Sequence, residues 1–240
     1  MHALGDELAN VDRHSRKHRG RARLHGPRAA CSLRGVQPAV YRIETPRVVV
    51  RCWNPEDALL AKKAEDDSRD HLRPFMLWAD REPESQSETV DKLRLFRSWF
   101  DAGEDFMYGA FARDDGRCIG GAGLHPRVGK GGIEIGYWTH VNEVRKGLAT
   151  EMAGALTRCA FEIGRMRWVE IRCATKNVAS AGVPPKLGFV HEATLRDRLA
   201  LTSGEIDDAL VFTLLAKDYP ASPAKRIPFS AFDASGRKLA

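Results

Sequence analysis

Two stretches of this chain hold residue types that could do chemistry. The first is Val144-Arg145-Lys146-Gly147-Leu148-Ala149-Thr150, which follows a run where Ile133, Ile135 and Tyr137 alternate with Glu134, Gly136 and Trp138. The alternation is that of a strand, and a helical pattern starts near Gly147. A strand passing through a basic, glycine-containing turn into a helix makes a phosphate cradle. Successive backbone N–H groups and the positive helix end converge on one spot, and Arg145 and Lys146 would add full charges. Gly147 permits a close approach to the backbone where a side chain would block it. The second stretch is Asn177-Val178-Ala179-Ser180, a helix start with Asn177 as its cap and a hydroxyl one turn in. His125 and His140 lack partners at metal-ligand spacing, so no metal is expected.

The elements that must hold these stretches follow from pattern. Residues 46–53 are β-branched and strand-like and are the expected start of the folded domain. Asn54-Pro55-Glu56-Asp57 supplies a cap, a proline at the first helical position and first-turn acids, so a helix should run to about Ser68. Residues 71–80 read as a short irregular apolar segment, and residues 87–102 as a second helix stopped near Gly103. Two strands, 106–112 and 117–125, should form a hairpin around Asp114-Asp115-Gly116. After the cradle come a long helix (147–163), a strand (168–175), the Asn177 helix, and a strand after Leu187-Gly188-Phe189. A last strand, 208–216, should close the sheet. Pro184 and Pro185 lie beyond the first turn of the Asn177 helix, where they predict a kink or an early stop. From Pro220 onward the chain is rich in Pro, Ser and Lys and is expected to be a loose tail (219–240).

Composition bounds the rest. The 240 residues are 43% hydrophobic and 29% charged, ordinary values for a globular protein. No apolar run reaches the roughly 18 residues of a membrane span. Nor do the polar, basic residues 1–30 contain a secretory apolar segment. The five cysteines are scattered, with no C-x-x-C, which argues for reduced thiols and a cytoplasmic location. Of the net charge of +6, residues 1–40 carry +5, from eight Lys/Arg against three acids. They read as a disordered basic arm, either a weak RNA contact or a solvated tail.

Two motifs in order carry a resemblance. Residues 144–149 resemble the Gln/Arg-x-x-Gly-x-Gly/Ala pyrophosphate loop of GCN5-related N-acetyltransferases (GNAT), with Val144 standing where that loop usually has Gln or Arg. Residues 177–189, N-V-A-S-A-G-V-P-P-K-L-G-F, are similar to the family's Asn-x-x-Ser…Lys-Leu-Gly-Phe segment. The order of elements over 41–218 also matches. H-L-R-P-F-M-L-W-A and I-E-I-G-Y-W look most like the Rim-type enzymes, which acetylate the N-termini of ribosomal proteins. The resemblance implies an α/β GNAT fold, a central mixed, largely antiparallel sheet flanked by about four helices. It also implies acetyl-CoA as co-substrate and transfer to a primary amine, with a protein N-terminal α-amine, possible on a ribosomal protein, as the best acceptor. A homodimer is an open possibility, because dimers are common among relatives. Two alternatives stand: a small-molecule amine acceptor (a polyamine or an aminoglycoside), or a non-catalytic acyl-CoA-binding module.

The resemblance also assigns roles. Pyrophosphate would rest on the N–H groups of residues 145–150 (Arg145, Lys146, Gly147, Leu148, Ala149, Thr150), with the Thr150 hydroxyl as a further donor. Backbone at Tyr137, Trp138 and Thr139 would hold the thioester carbonyl, and Asn177 would bond the pantetheine arm. Glu134 would be the base, with burial raising its pKa; its alternative is a surface carboxylate or an ion pair with Arg172. Ser180 would protonate the leaving thiolate; its alternative is a bond to its own helix backbone. Tyr137 and Tyr219 have less support as acids. Arg73, Phe75, Met76 and Trp78 would line the acceptor groove, although such an apolar run is more often core. No Cys or Ser lies in a nucleophile motif, so transfer should be direct, without a covalent enzyme intermediate.

Overall fold

The computed structural model describes residues 39–240. In chain order its elements are β1 (Arg42–Glu44), β2 (Val48–Cys52), α1 (Ala58–Leu72), α2 (Gln86–Ala102), β3 (Phe106–Ala112), β4 (Cys118–His125) and β5 (Gly132–Thr139). Then follow α3 (Leu148–Arg158), β6 (Trp168–Ala174), α4 (Val178–Ala181), β7 (Val190–Ala200), β8 (Ile206–Leu215) and β9 (Ser230–Phe232). The strands form one sheet in the order β7-β8-β6-β5-β4-β3-β2-β1-β9. Every neighbouring pair is antiparallel except β5 and β6, which are joined through α3, as a parallel crossover requires. The mixed, mostly antiparallel sheet and the four helices match the expected architecture.

The parallel pair is what makes room for a site. β5 pairs with β6 only over Gly132–Glu134 and Trp168–Glu170. Beyond that point β5 stays with β4 as far as Thr139, while β6 stays with β8 as far as Ala174. The sheet therefore splits between two strands that each remain anchored on their other side. Side-chain alternation on β5 serves both faces. Ile133, Ile135 and Tyr137 pack with Leu148, Met152 and Leu156 of α3, whereas Trp138 packs with Trp53, Met107 and Phe96 on the α1–α2 side. This is period-2 patterning applied to a strand covered on both sides.

Local signals explain the helix ends. The Asp57 carboxylate accepts the Asn54 N–H (2.9 Å) at the entry to α1, with one 3-10 turn, Pro55–Asp57, before the α-helix proper. Ser85 and Glu88 form a reciprocal capping box at the start of α2, and Gly103 (φ 71°) ends it in the left-handed region. α1 continues to Leu72, past the expected end at Ser68. The helix after the cradle is α-helical only to Arg158 and finishes as a π-turn, Cys159–Ile163. α4 stops after Ala181, and Pro184–Leu187 form a separate 3-10 turn, the early stop that the two prolines predict.

Two expectations need correction at the edges of the fold. The arm assigned to residues 1–40 lies outside the described residues except for Ala39 and Val40. Val40 is buried, and its carbonyl accepts the Tyr108 hydroxyl (3.0 Å). The tail from Pro220 is not loose. It forms two 3-10 turns, buries Ala224 and Ala231, and adds β9 to the free edge of β1, so β8 does not close the sheet. Its composition hid this, because small residues can pack closely, and an open sheet edge is satisfied by any backbone that reaches it. Ile227 of the tail packs over Gly154 of α3, where a Cβ would lie 2.6 Å from its side chain. Among the described residues no helix is long and apolar enough to cross a membrane.

Candidate active site

Where β5 and β6 part, a cleft of about 790 Å³ opens between the end of β5, the start of α3 and the α4 segment. On its α3 side the chain is held in an unusual conformation. Arg145 (φ 61°) and Gly147 (φ 78°) both adopt left-handed backbone, and Gly147 caps α3 without any side-chain hydrogen bond to the first turn. A non-glycine residue in that region costs about 1–2 kcal/mol, a strain characteristic of ligand-holding turns. The first-turn N–H groups of α3 carry no side-chain cap, so they are available to an anion.

The cradle residues divide into two groups. Val144, Arg145, Gly147, Leu148, Ala149 and Thr150 line the cleft. Lys146 does not; its ammonium turns to the Glu143 carboxylate (3.1 Å), which Arg117 also contacts (3.2 Å). The expectation of two added charges is therefore corrected to one, because the buried Glu143 carboxylate, three residues earlier, engages Lys146. Lys176 and Lys186 line the cleft instead. Neither was assigned a role from the sequence, although Lys176 precedes the cap residue and Lys186 lies inside the quoted Lys-Leu-Gly-Phe segment. Lys176 pairs with Glu205, whereas Arg145 and Lys186 have no ion-pair partner among the described residues. The cleft thus carries a positive field at its α3 and α4 walls.

At the inner end of the cleft, Tyr137 of β5 faces Ser180 of α4 across the split. The tyrosine hydroxyl lies 3.3 Å from both the Ser180 hydroxyl and the Ser180 carbonyl, and both residues are buried. Burial pushes the Tyr137 phenol up, and its hydrogen bond to Ser180 only partly offsets this, so the group stays protonated. Asn177 lines the cleft and caps α4, its Oδ1 accepting the Ser180 N–H (3.0 Å). Trp138 and Thr139 also line it, on the side where β5 has no partner strand. Tyr219 lies elsewhere, stacked on Phe161 and bonded to Glu162.

Glu134 does not line the cleft. It sits where β5 and β6 still pair, almost fully buried, with its carboxylate on Arg127 (3.0 and 3.2 Å) and Arg172 at 3.9 Å. Burial alone would raise its pKa, but the hydrogen bonds and charge of Arg127 outweigh burial and hold it below the ordinary carboxylate value. The expected upward shift is reversed, because the partner is Arg127, seven residues earlier in the chain. Arg73 is exposed, and its carbonyl accepts the Thr202 hydroxyl (2.7 Å), which ties the 73–80 segment to the β7–β8 hairpin. Phe75 lines the cleft and packs against Leu199 and Leu201 of that hairpin. Met76 is buried, and Trp78 packs edge-on against Trp138 (5.9 Å), so these two serve the core. Among the described residues no group of three or more His, Cys, Asp or Glu could hold a metal ion.

A split sheet whose gap meets a helix start without a side-chain cap, cations and a buried hydroxyl pair makes a site suited to an anionic ligand. The comparisons narrow the class. Residues 47–190 match the model of the acetyltransferase (GNAT) domain, and the chain belongs to that family. It is an N-acetyltransferase that uses acetyl-CoA. It is 33% identical over 178 residues to YdaF of Bacillus subtilis, provisionally named a ribosomal N-acetyltransferase, covering 72% of this chain and 93% of that protein. Among solved structures it is similar to Mycobacterium smegmatis RimJ in complex with CoA-disulfide (TM-score 0.68, 22% identity, 78% of this chain and 91% of that one). It is likewise similar to RimL, a ribosomal L7/L12 alpha-N-protein acetyltransferase in complex with coenzyme A (TM-score 0.64, 19% identity, 71% and 95%).

Proposed function

We propose that this enzyme acetylates the α-amino group at a protein N-terminus, with a ribosomal protein as the natural acceptor. The observation that carries the proposal is the lack of a free carboxylate at the cleft, whose one imidazole, His71, lies exposed on the lining. Its one lining carboxylate among the described residues, Glu143, is engaged by Lys146 and Arg117, and Glu134 is buried on Arg127. An α-amine with pKa near 8 loses only about 1 kcal/mol to protonation at pH 7, whereas a lysine near 10.4 loses roughly 4–5 kcal/mol. A site without a free carboxylate suits the acceptor that arrives neutral unaided. The cations on the cleft walls disfavour polyamines and aminoglycosides, which would require acidic walls. The names of YdaF and RimL point to the same acceptor class.

In this reading the diphosphate of acetyl-CoA lies on the α3 start near Arg145, and the thioester reaches the gap beside Tyr137 and Ser180. The neutral amine attacks the thioester carbonyl directly, and backbone donors along Tyr137–Thr139 hold the developing oxyanion. The C–S bond then breaks, the hydroxyl pair gives a proton to the thiolate, and the proton shed by the attacking nitrogen restores the pair through solvent. The test is the pH profile of kcat/KM with a peptide bearing a free α-amine. It should rise with the ionisation of the acceptor, near pH 8, and keep that shape in Glu134→Gln. A profile governed by an enzyme carboxylate and lost in Glu134→Gln would reject this reading.

A further inference from the structure

Arg47, just ahead of β2, makes four contacts that converge on the phosphate loop. Its Nη1 donates to the Lys146 carbonyl (2.9 Å), and its Nε donates to Glu151 Oε2 (2.6 Å). Its Nη2 lies 2.6 Å from the same oxygen, and its backbone N–H donates to Glu151 Oε1 (3.0 Å). The Thr45 hydroxyl adds a further bond to Oε1 (2.7 Å). Glu151, 8% exposed, thus has its acceptor sites filled from one short turn between β1 and β2.

Two consequences follow for the cradle, given that acetyl-CoA binds there. A trans peptide points its C=O and the following N–H in opposite directions. Holding the Lys146 carbonyl towards Arg47 therefore aims the Gly147 N–H the other way, and it is Gly147, not Lys146, that lines the cleft. Glu151 also places a carboxylate in the first turn of α3, where it would compete with a bound anion for the positive helix end. The guanidinium neutralises it. We propose that Arg47 is a positioning residue for the donor: it orients the Lys146–Gly147 peptide and cancels Glu151, so that the α3 start accepts the diphosphate of the CoA carrier.

The test compares two acyl donors, acetyl-CoA and S-acetyl-pantetheine, which lacks the diphosphate and nucleotide. In the wild type, acetyl-CoA should have much the lower KM. Arg47→Ala should raise the acetyl-CoA KM about 10- to 100-fold, the range for losing hydrogen bonds to charged groups. It should leave kcat at saturation, and the KM for S-acetyl-pantetheine, within about twofold. Arg47→Lys keeps the charge but cannot span the carbonyl and the carboxylate together, and should fall between. Adding Glu151→Gln to Arg47→Ala should recover part of the acetyl-CoA affinity, whereas a merely structural role predicts a further loss. Should Arg47→Ala not fold, the Lys variant and Glu151→Gln alone carry the same donor comparison. Equal KM changes for both donors, or an unchanged acetyl-CoA KM, would overturn the role of Arg47 while leaving the cleft assignment intact. A wild type that does not distinguish the two donors would overturn both.

Discussion

Replacing Tyr137 with Phe separates two candidates for the proton that the departing CoA thiolate must receive. The change removes one hydroxyl from the inner end of the cleft and leaves the ring in the core. Its hydrogen bonds to Ser180 are long, both 3.3 Å, so the stability cost should stay at or below about 1 kcal/mol. The catalytic cost follows from the thiol. With a pKa near 8.5, the thiolate gains about 1.36 kcal/mol per unit, or roughly 2 kcal/mol, from protonation at pH 7. The expected loss in kcat is therefore about 10- to 30-fold at pH 7, and it should shrink as pH approaches 8.5, where protonation no longer helps. Because burial raises the Tyr137 phenol, the wild-type group remains an acid throughout this range. Release of CoA thiol can be followed with a chromogenic disulfide, since the four described cysteines (Cys52, Cys118, Cys159, Cys173) are buried. A Tyr137→Phe enzyme with unchanged kcat, beside a Ser180→Ala enzyme that loses it, would assign the proton to Ser180. A pH-independent deficit would refute the leaving-group argument itself.

Glu134 should act on stability with a definite sign. Its folded pKa is held down by Arg127, so its contribution is present above the unfolded value of about 4.3 and is lost as pH falls through the folded value. Glu134→Gln should cost about 1–3 kcal/mol at pH 7, discounted because Arg127 is part-exposed, and the gap to wild type in a urea series should close below pH 4. Deleting residues 220–240 removes β9 and the buried Ala224 and Ala231; a loss of about 3 kcal/mol would lower Tm by roughly 6–12 °C. An unchanged Tm in differential scanning calorimetry would mean the tail contributes nothing. Removal of residues 1–38, which keeps buried Val40, should leave Tm and acetyl transfer to a short peptide unchanged, with any effect confined to RNA binding by gel shift.

What the sequence disclosed depended on how local each signal was. The β5 alternation, the Gly147 turn, the Gly103 helix end and the stop at Pro184 rest on a few neighbouring residues, and each of these elements is visible in the pattern. β1 and β9 are three-residue strands with no period to read, and they exist because each satisfies the other's edge. Side-chain commitments were also out of reach. Glu143 stands three residues before Lys146, but the spacing alone does not say that it will engage Lys146 and not Arg145, and nothing near Glu134 says that burial will be outweighed by Arg127. Arg47 is a hundred residues from the loop it steadies, and only the fold joins them.

The most direct test of the account is the position of the acetyl group on an acceptor that offers both kinds of amine. A peptide with a free N-terminus and one internal lysine is incubated with enzyme and acetyl-CoA at about pH 7.5, just below the α-amine pKa and roughly three units below that of lysine. The modified site is then located by tandem mass spectrometry. The account predicts acetylation of the α-amine alone, and no product from the same peptide with a blocked N-terminus. Acetylation of the lysine at a comparable rate in the blocked peptide would contradict it, because the cleft would then have to supply the base that its ion-paired carboxylates do not.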